Sequence, residues 1–292
     1  MTKIGFIGLG AMGLRMATRL NAAGYDLAVY NRSRGPADQL ADLGARIADS
    51  PREAATDASV VISMVTDDEI SSIVWMDEES GALGGMKNGA VAVESSTLTP
   101  ALSKKLGKAA GKHGIRFLEA PVVGTRPHAE RGQLTYLVGG EADTLEAVRE
   151  VLSIMGAVVH HVGPVGTGMS MKLAVNALFA IQVAALGEVI PALERSGIAK
   201  EEAVAILNSL AISSPVAQHI AGRMLEGGFA PNFPIDLVEK DLRYCIEMAK
   251  APGASNPIVQ RTGAVYQAAQ KRGFGGDDIS GIIQQYLKPD VA

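Results

Sequence analysis

Little in this chain of 292 residues could hold a metal or a disulfide. Its single cysteine, Cys245, excludes an internal disulfide framework, and its setting in DLRYCIEMAK reads as a packed helical thiol rather than a nucleophile. The five histidines, His113, His128, His160, His161 and His219, share no ligand spacing with one another or with cysteine, so no metal is expected. A basic footprint is missing too. Lys and Arg number 27 against 31 Asp and Glu, the net charge is −4 and the charges are scattered, which argues against nucleic acid and for a small-molecule partner. The start, MTKIGFIGLG, lacks the basic, apolar and small-residue regions of a signal peptide. Gly187, Glu188 and Pro191 interrupt the most apolar stretch before it reaches spanning length. No membrane partner and a cytoplasmic location are therefore expected. With no internal repeat and no low-complexity segment, what remains is 47% hydrophobic and 20% charged, ordinary for a globular chain, and long enough for two domains.

The first half alternates apolar runs with helical patterns. Lys3 to Ile7 reads as a buried strand, and the loop Gly8, Leu9, Gly10, Ala11, Met12, Gly13 then opens a helix ending near Gly24. Strand, glycine turn, helix is the context in which this spacing binds a dinucleotide: Gly8 makes the turn, Gly10 lets the backbone approach a pyrophosphate, and Gly13 lets helix and strand pack closely. The next strand, Asp26 to Tyr30, ends in Asn31, Arg32 and Ser33, with Arg34 following. An acidic residue here would suit the ribose 2′-hydroxyl of NAD, whereas this set suits a 2′-phosphate. NADP is therefore the expected cofactor and NAD the alternative. Later runs, Asp57 to Val65, Ala90 to Glu94 and Arg116 to Ala120, each stop in small polar residues, as buried parallel strands do, with ligands outside their carboxyl ends. Val65, Thr66, Ser95, Ser96 and Thr97 are thus candidates to line the nicotinamide and substrate end, while Thr99 before Pro100 reads as a helix cap. In EAPVVGTRPHAERGQL, Gly124 and Thr125 offer backbone N–H groups and a hydroxyl to an anionic or carbonyl substrate, Arg126 either pairs with a carboxylate or faces solvent, and His128 reads as surface.

The stretch from Gly163 to Arg195 opens the second half with one long apolar helix, in which Lys172 and, four residues on, Asn176 share a face. A lysine among Met169, Met171, Leu173 and Val175 either snorkels to water or sits in a site that uses its proton. His160 to Gly168 reads as a linker, Pro191 as a kink or break, and everything later as helical, giving domains at 1–164 and 165–292. The fold class is an α/β Rossmann-type domain with a parallel sheet, followed by an all-α domain whose first helix leads into the catalytic cleft. Lys240 is placed to close that cleft, or else forms a surface pair with Glu239 or Asp241.

With these residues in place the chain resembles the β-hydroxyacid dehydrogenase family, most of all its glyoxylate/succinic semialdehyde reductases. The likeness rests on GLGAMG, on SST at Ser95 to Thr97, on EAPVVGT at Glu119 to Thr125, on GTGMSMKLAVN at Gly166 to Asn176, and on FPIDLVEKDL at Phe233 to Leu242. The resemblance implies Lys172 as catalytic acid/base, Asn176 as its assistant, and Thr97, Lys240, Val65 and Thr66 as cofactor contacts. It implies reduction of a small aldehyde or oxo acid, or oxidation of the corresponding hydroxy acid, by a homodimer or homotetramer. Val123, Gly124 and Thr125 stand where many members have serine and two glycines, so the usual substrate hydroxyl is missing. The rival readings are an NAD-dependent 3-hydroxyisobutyrate dehydrogenase-like enzyme, an imine reductase, which usually has another residue at the lysine position, and a non-catalytic NADP-binding sensor, which would need neither Lys172 nor Asn176.

Overall fold

Short runs of β-branched and aliphatic residues, each closed by a polar turn, become the strands of one sheet. A computed structural model describes residues 2–250 and 253–287, and these divide into two compact units, 1–172 and 173–292. In the first, β1 (Lys3–Ile7), β2 (Asp26–Tyr30), β3 (Arg46–Ile47), β4 (Val60–Ser63), β5 (Val91–Glu94) and β6 (Arg116–Glu119) pair in parallel in the order β3-β2-β1-β4-β5-β6. The sheet then changes direction: β8 (Leu134–Gly140) runs antiparallel to β6 and to β7 (Val122–Val123), and β9 (Gly156–Gly163) lies parallel to β8. The expected strands are all present. The linker expected at His160 to Gly168 is shorter, because His160–Gly163 belongs to β9; an edge strand exposed on both sides carries no apolar alternation to betray it.

Between the strands run α1 (Gly13–Ala22), α2 (Arg34–Ala41), α3 (Pro51–Ala55), α4 (Asp68–Met76), α5 (Pro100–Lys112), α6 (Arg126–Glu130) and α7 (Ala142–Met155). Their starts follow local chemistry. Ser50, Asp67 and Thr99 each accept a hydrogen bond from the backbone three residues on, and Pro51 and Pro100 occupy first-turn positions that need no N–H. Two apolar layers cover the sheet, one built on Phe6, Met16, Leu20 and Tyr136, the other on Trp75, Leu98, Leu102 and Leu106.

The boundary between the units falls inside α8 (Thr167–Arg195), which is unbroken through Pro191; Gly187, whose carbonyl would have accepted the missing bond, has no side chain to crowd the adjustment. Contrary to the sequence expectation, α8 is by length and composition apolar enough to cross a membrane, with a mean hydropathy of 1.9 over a window that is 44% buried. The interrupting residues lie in its last third, too late to shorten the run. Leu173, Ala177, Ala180, Val183 and Ile190 place this helix in the core of the second unit, with α9 (Lys200–Ser209), α10 (Pro215–Glu226), α11 (Ile235–Lys250) and α12 (Pro257–Lys271). The final segment, expected to be helical with the rest of this half, forms a 3₁₀ helix at Ile279–Gln285.

Candidate active site

At the carboxyl end of β1 the three motif glycines have three different reasons to lack a side chain. Gly8 has φ +92°, where only glycine is comfortable, and a Cβ there would strike the Met64 carbonyl. A Cβ on Gly13 would strike the Gly8 carbonyl oxygen, so this glycine lets α1 close on the turn. Around Gly10 a Cβ would meet nothing within 4 Å. Among the described residues nothing crowds Gly10, and the open space leaves room for a ligand to approach the backbone there. The loop leads to an α1 whose start has no side-chain cap and no acidic first-turn residue, a fitting seat for a pyrophosphate.

Asn31 is committed within the protein: its Oδ1 accepts the Leu9 N–H at 2.9 Å and its Nδ2 donates to the Ser33 carbonyl and hydroxyl, both at 2.9 Å. It therefore clamps the glycine loop to the end of β2, and is a holder of the site more than a cofactor ligand. Arg34 pairs with Asp38 at 3.0 Å, while Arg32 and Ser33 are exposed.

The loops after β4 and β5 are tied to each other. Ser96 Oγ accepts the Val65 N–H at 2.8 Å, and Asp68 accepts the Thr99 N–H at 2.9 Å and its hydroxyl at 2.6 Å. Ser96, expected at the substrate, is 0% exposed, so it braces Val65 instead of lining a pocket. Thr97 is half-buried and Thr66 is exposed beside Asp67.

Under these loops lies Glu94, fully buried, its Oε2 accepting from Ser71 Oγ at 2.6 Å and Trp75 Nε1 at 2.7 Å and its Oε1 from the Ser96 N–H at 2.7 Å. Burial raises its pKa above the usual glutamate range, against the pull of these donors. Raised in the folded state, the group stabilises most below the ordinary glutamate pKa and loses that contribution as pH climbs through its own. A protonated acid can accept from Trp75 and donate to Ser71 through one oxygen; an amide nitrogen cannot accept. Glu94→Gln is therefore expected to cost about 1–3 kcal/mol, with the deficit against wild type largest at acid pH and narrowing as pH rises, measured by paired melts across pH.

A second buried acid, Glu119, is the in-register neighbour of Glu94 on β6. Its Oε1 accepts the N–H groups of Gly166 and Gly168 at 2.7 Å each and of Met169 at 3.3 Å, and its Oε2 accepts from Ser103 Oγ. Burial raises its pKa also, with the hydrogen bonds opposing. Beyond it, β7 carries the chain past the carboxyl edge of the parallel strands to Val123, half-buried, and Gly124, exposed at φ +139°. Thr125 spends its N–H and hydroxyl on His128 Nδ1 at 3.2 and 2.9 Å, so His128, exposed as expected, is also a capping partner for α6. Three arginines have a buried Nε without a hydrogen bond, Arg52, Arg126 and Arg223. Arg52 reaches the Glu78 carbonyl and Arg223 reaches Asp278 and two carbonyls, but Arg126 has no acceptor among the described residues.

On α8, Lys172 is 9% and Asn176 6% exposed, on the same face as Met169, Leu173, Ala177 and Ala180. The lysine therefore does not snorkel. In the second unit Asn176 Nδ2 donates to Asp241 Oδ2 at 2.6 Å, and Asp241 Oδ1 is 3.2 Å from Lys240 Nζ, which also lies over the Tyr244 ring. Lys240 is 8% exposed, so its pair with Asp241 is a buried one. An acid between two site residues is what a buried lysine and a buried amide both need; the sequence offers Asp241 as a partner for Lys240, but as a surface pair, and gives no sign of its bond to Asn176. Glu94 and Glu119 were missed for want of any signal: an acid closing a strand looks the same whether solvated or buried.

Residues 3–163 match the family model described as the NAD binding domain of 6-phosphogluconate dehydrogenase, and residues 166–286 that described as NAD-binding of NADP-dependent 3-hydroxyisobutyrate dehydrogenase. The chain is 33% identical to glyoxylate/succinic semialdehyde reductase 2, chloroplastic, of Arabidopsis thaliana, over 96% of this chain and 78% of that one. It is 31% identical to the NAD-dependent L-serine dehydrogenase of Pseudomonas aeruginosa over 99% of both chains. Among solved structures, Mycobacterium tuberculosis 3-hydroxyisobutyrate dehydrogenase with L-serine superposes with a TM-score of 0.86 at 27% identity, over 99% of this chain and 100% of that one.

Proposed function

Since the chain belongs to the β-hydroxyacid dehydrogenase family and is an NAD(P)-dependent oxidoreductase acting on CH–OH groups, we propose that it uses NADPH to reduce a small carboxylate-bearing aldehyde or 2-oxo acid, with Lys172 as acid/base. The observation that carries the proposal is the pairing of two buried polar side chains, Lys172 and Asn176, one turn apart on an otherwise apolar helix face. Bound nicotinamide supplies the hydride, and negative charge then develops on the substrate oxygen. The Lys172 ammonium stabilises that charge and delivers the proton; in the oxidative direction the neutral amine takes it back. Asn176, oriented by Asp241, hydrogen-bonds the same oxygen. Leu9, Gly10, Ala11 and Met12 would hold the pyrophosphate, and Val65, Thr66 and Thr97 would border the nicotinamide half.

NADP over NAD is supported by the exposed Arg32 and Ser33 and by the lack of an acid at the end of β2; the NAD-dependent serine dehydrogenase among the relatives supports the alternative. Turnover of glyoxylate, succinic semialdehyde, 3-hydroxyisobutyrate and L-serine, each with NADPH or NADP and with NADH or NAD, tests both. Better use of NADH would overturn the reading of Arg32, and no turnover on the panel would overturn the substrate class.

Arg126 supports the carboxylate, since a guanidinium with no internal acceptor stands after Gly124 where the family's usual serine hydroxyl is absent. Loss of one charged hydrogen bond of about 1.5–3 kcal/mol predicts a KM about ten- to a hundredfold higher for Arg126→Ala on the free acids, with kcat little changed and a methyl ester of the same aldehyde unaffected.

The second unit supports self-association. Leu178, Ile206 and Leu210 are 64, 50 and 48% exposed, and Ile212, 80% exposed, lines an apolar groove of about 260 Å³ with Leu186, Val189 and Leu207. Light scattering is expected to give a dimer or tetramer, and Ile212→Asp a smaller species; a wild-type monomer would remove this part of the proposal.

A further inference from the structure

We infer that Glu119 is the positioning residue for Lys172: by accepting the N–H groups of the first turn of α8, it sets the height and rotation at which that helix presents the lysine. The inference rests on the reading of Lys172 as acid/base and names what aims it.

A helix start leaves N–H groups that its own carbonyls cannot satisfy, and a side chain just before the helix usually accepts them. Here that is impossible, because Gly163, Pro164, Val165 and Gly166 have no accepting side chain. The acceptor comes from 47 residues upstream, where one carboxylate oxygen at the end of β6 takes three N–H groups. Its other oxygen is tied to α5 through Ser103. The surroundings are cut to fit. A Cβ on Gly139 would lie 2.9 Å from the Glu119 carboxyl carbon, and one on Gly168 would run into the Leu137 carbonyl and come within 3.1 Å of Glu119 Oε1. Two glycines therefore let β8, the acid and the helix start lie against one another, and Lys172 follows Gly168 by one turn. A helix transmits displacement of its first turn directly, and a shift of about 1 Å in a catalytic group can cost about a hundredfold in rate.

The geometry also makes the test selective. Glutamine keeps one oxygen for the three N–H groups and offers its amide to Ser103 Oγ, so Glu119→Gln is expected to keep kcat within about threefold. Glu119→Ala orphans the N–H groups and is expected to lower kcat about tenfold or more, with the NADPH dissociation constant within about threefold. Independently of activity, its Gly168 and Met169 amides should exchange with solvent about tenfold faster while those of Val91 to Val93 stay protected. Gly139→Ala should reproduce both effects by displacing the carboxylate, yet add less than about twofold in the Glu119→Ala background. The inference is overturned if Glu119→Ala matches wild type in kcat and exchange, if the Gly139→Ala loss multiplies in full with it, or if Glu119→Gln is as impaired as the alanine variant. Should Glu119→Ala fail to fold, Gly139→Ala against Glu119→Gln decides: impaired and intact supports the inference, both intact overturns it. Lys172→Ala run alongside separates the two readings, because an active Lys172→Ala defeats the lysine itself, whereas an inactive one with wild-type Glu119→Ala defeats only the positioning.

Discussion

Lys172→Ala is expected to lower kcat by about 10²–10⁴-fold, the usual worth of positioned acid–base catalysis, while NADPH binding stays within a fewfold of wild type. The lysine is 9% exposed, so alanine also removes a packed stem; Lys172→Met fills the same space without an ammonium and separates the two losses. Both variants should show the same kcat, and only the alanine variant a lowered melting temperature. In the alanine variant, added methylamine should restore part of the turnover by supplying the missing proton donor. Near-normal kcat in Lys172→Met, measured by single-turnover NADPH oxidation, would remove the lysine from the chemistry.

Gly10→Val is expected to weaken NADPH binding about a hundredfold, equivalent to about 2.7 kcal/mol, while leaving the melting temperature of the free protein almost unchanged. Among the described residues nothing lies within 4 Å of a Cβ there, and Gly10 is not among the glycines with positive φ, so a valine is expected to obstruct the ligand and not the fold. Gly13→Val should behave in the opposite order. Its Cβ would collide with the Gly8 carbonyl, so the fold suffers first, by several kcal/mol, the scale of overpacking against backbone that cannot move aside. Calorimetry of binding with paired melts distinguishes the two. A Gly10→Val protein that melts early, or one that binds NADPH normally, would mean that the loop does not receive the pyrophosphate.

These two residues also mark what one sequence can convey. The glycine motif was legible because Gly8 and Gly13 answer local demands, a turn and a helix contact, within six consecutive residues. Lys172 with Asn176 was legible because helical periodicity places them on one face without knowledge of the rest of the fold. Thr99 was rightly read as a cap, since Pro100 announces it. Partners distant along the chain stayed hidden. Asn31 was read as a ligand because it stands where ligands stand, and its actual bond to Leu9 spans 22 residues. Ser96, Glu94 and Glu119 depend on contacts across strands, and β9 on a neighbour that only the sheet order supplies. Pro191 does not break α8, because its local cost is outweighed by the packing along the rest of the helix.

The register Glu94 to Glu119 between β5 and β6 ties chemistry to strand alignment. Because side chains alternate across a strand, a chain whose β6 settled one residue out of step would turn Glu119 to the opposite face and strand the first turn of α8 without its acceptor. Such a molecule would keep its helices and most of its sheet yet turn over slowly. Refolded material with native circular dichroism and depressed specific activity would carry that signature, and active-site titration rather than spectroscopy is the measure of correct assembly for this protein.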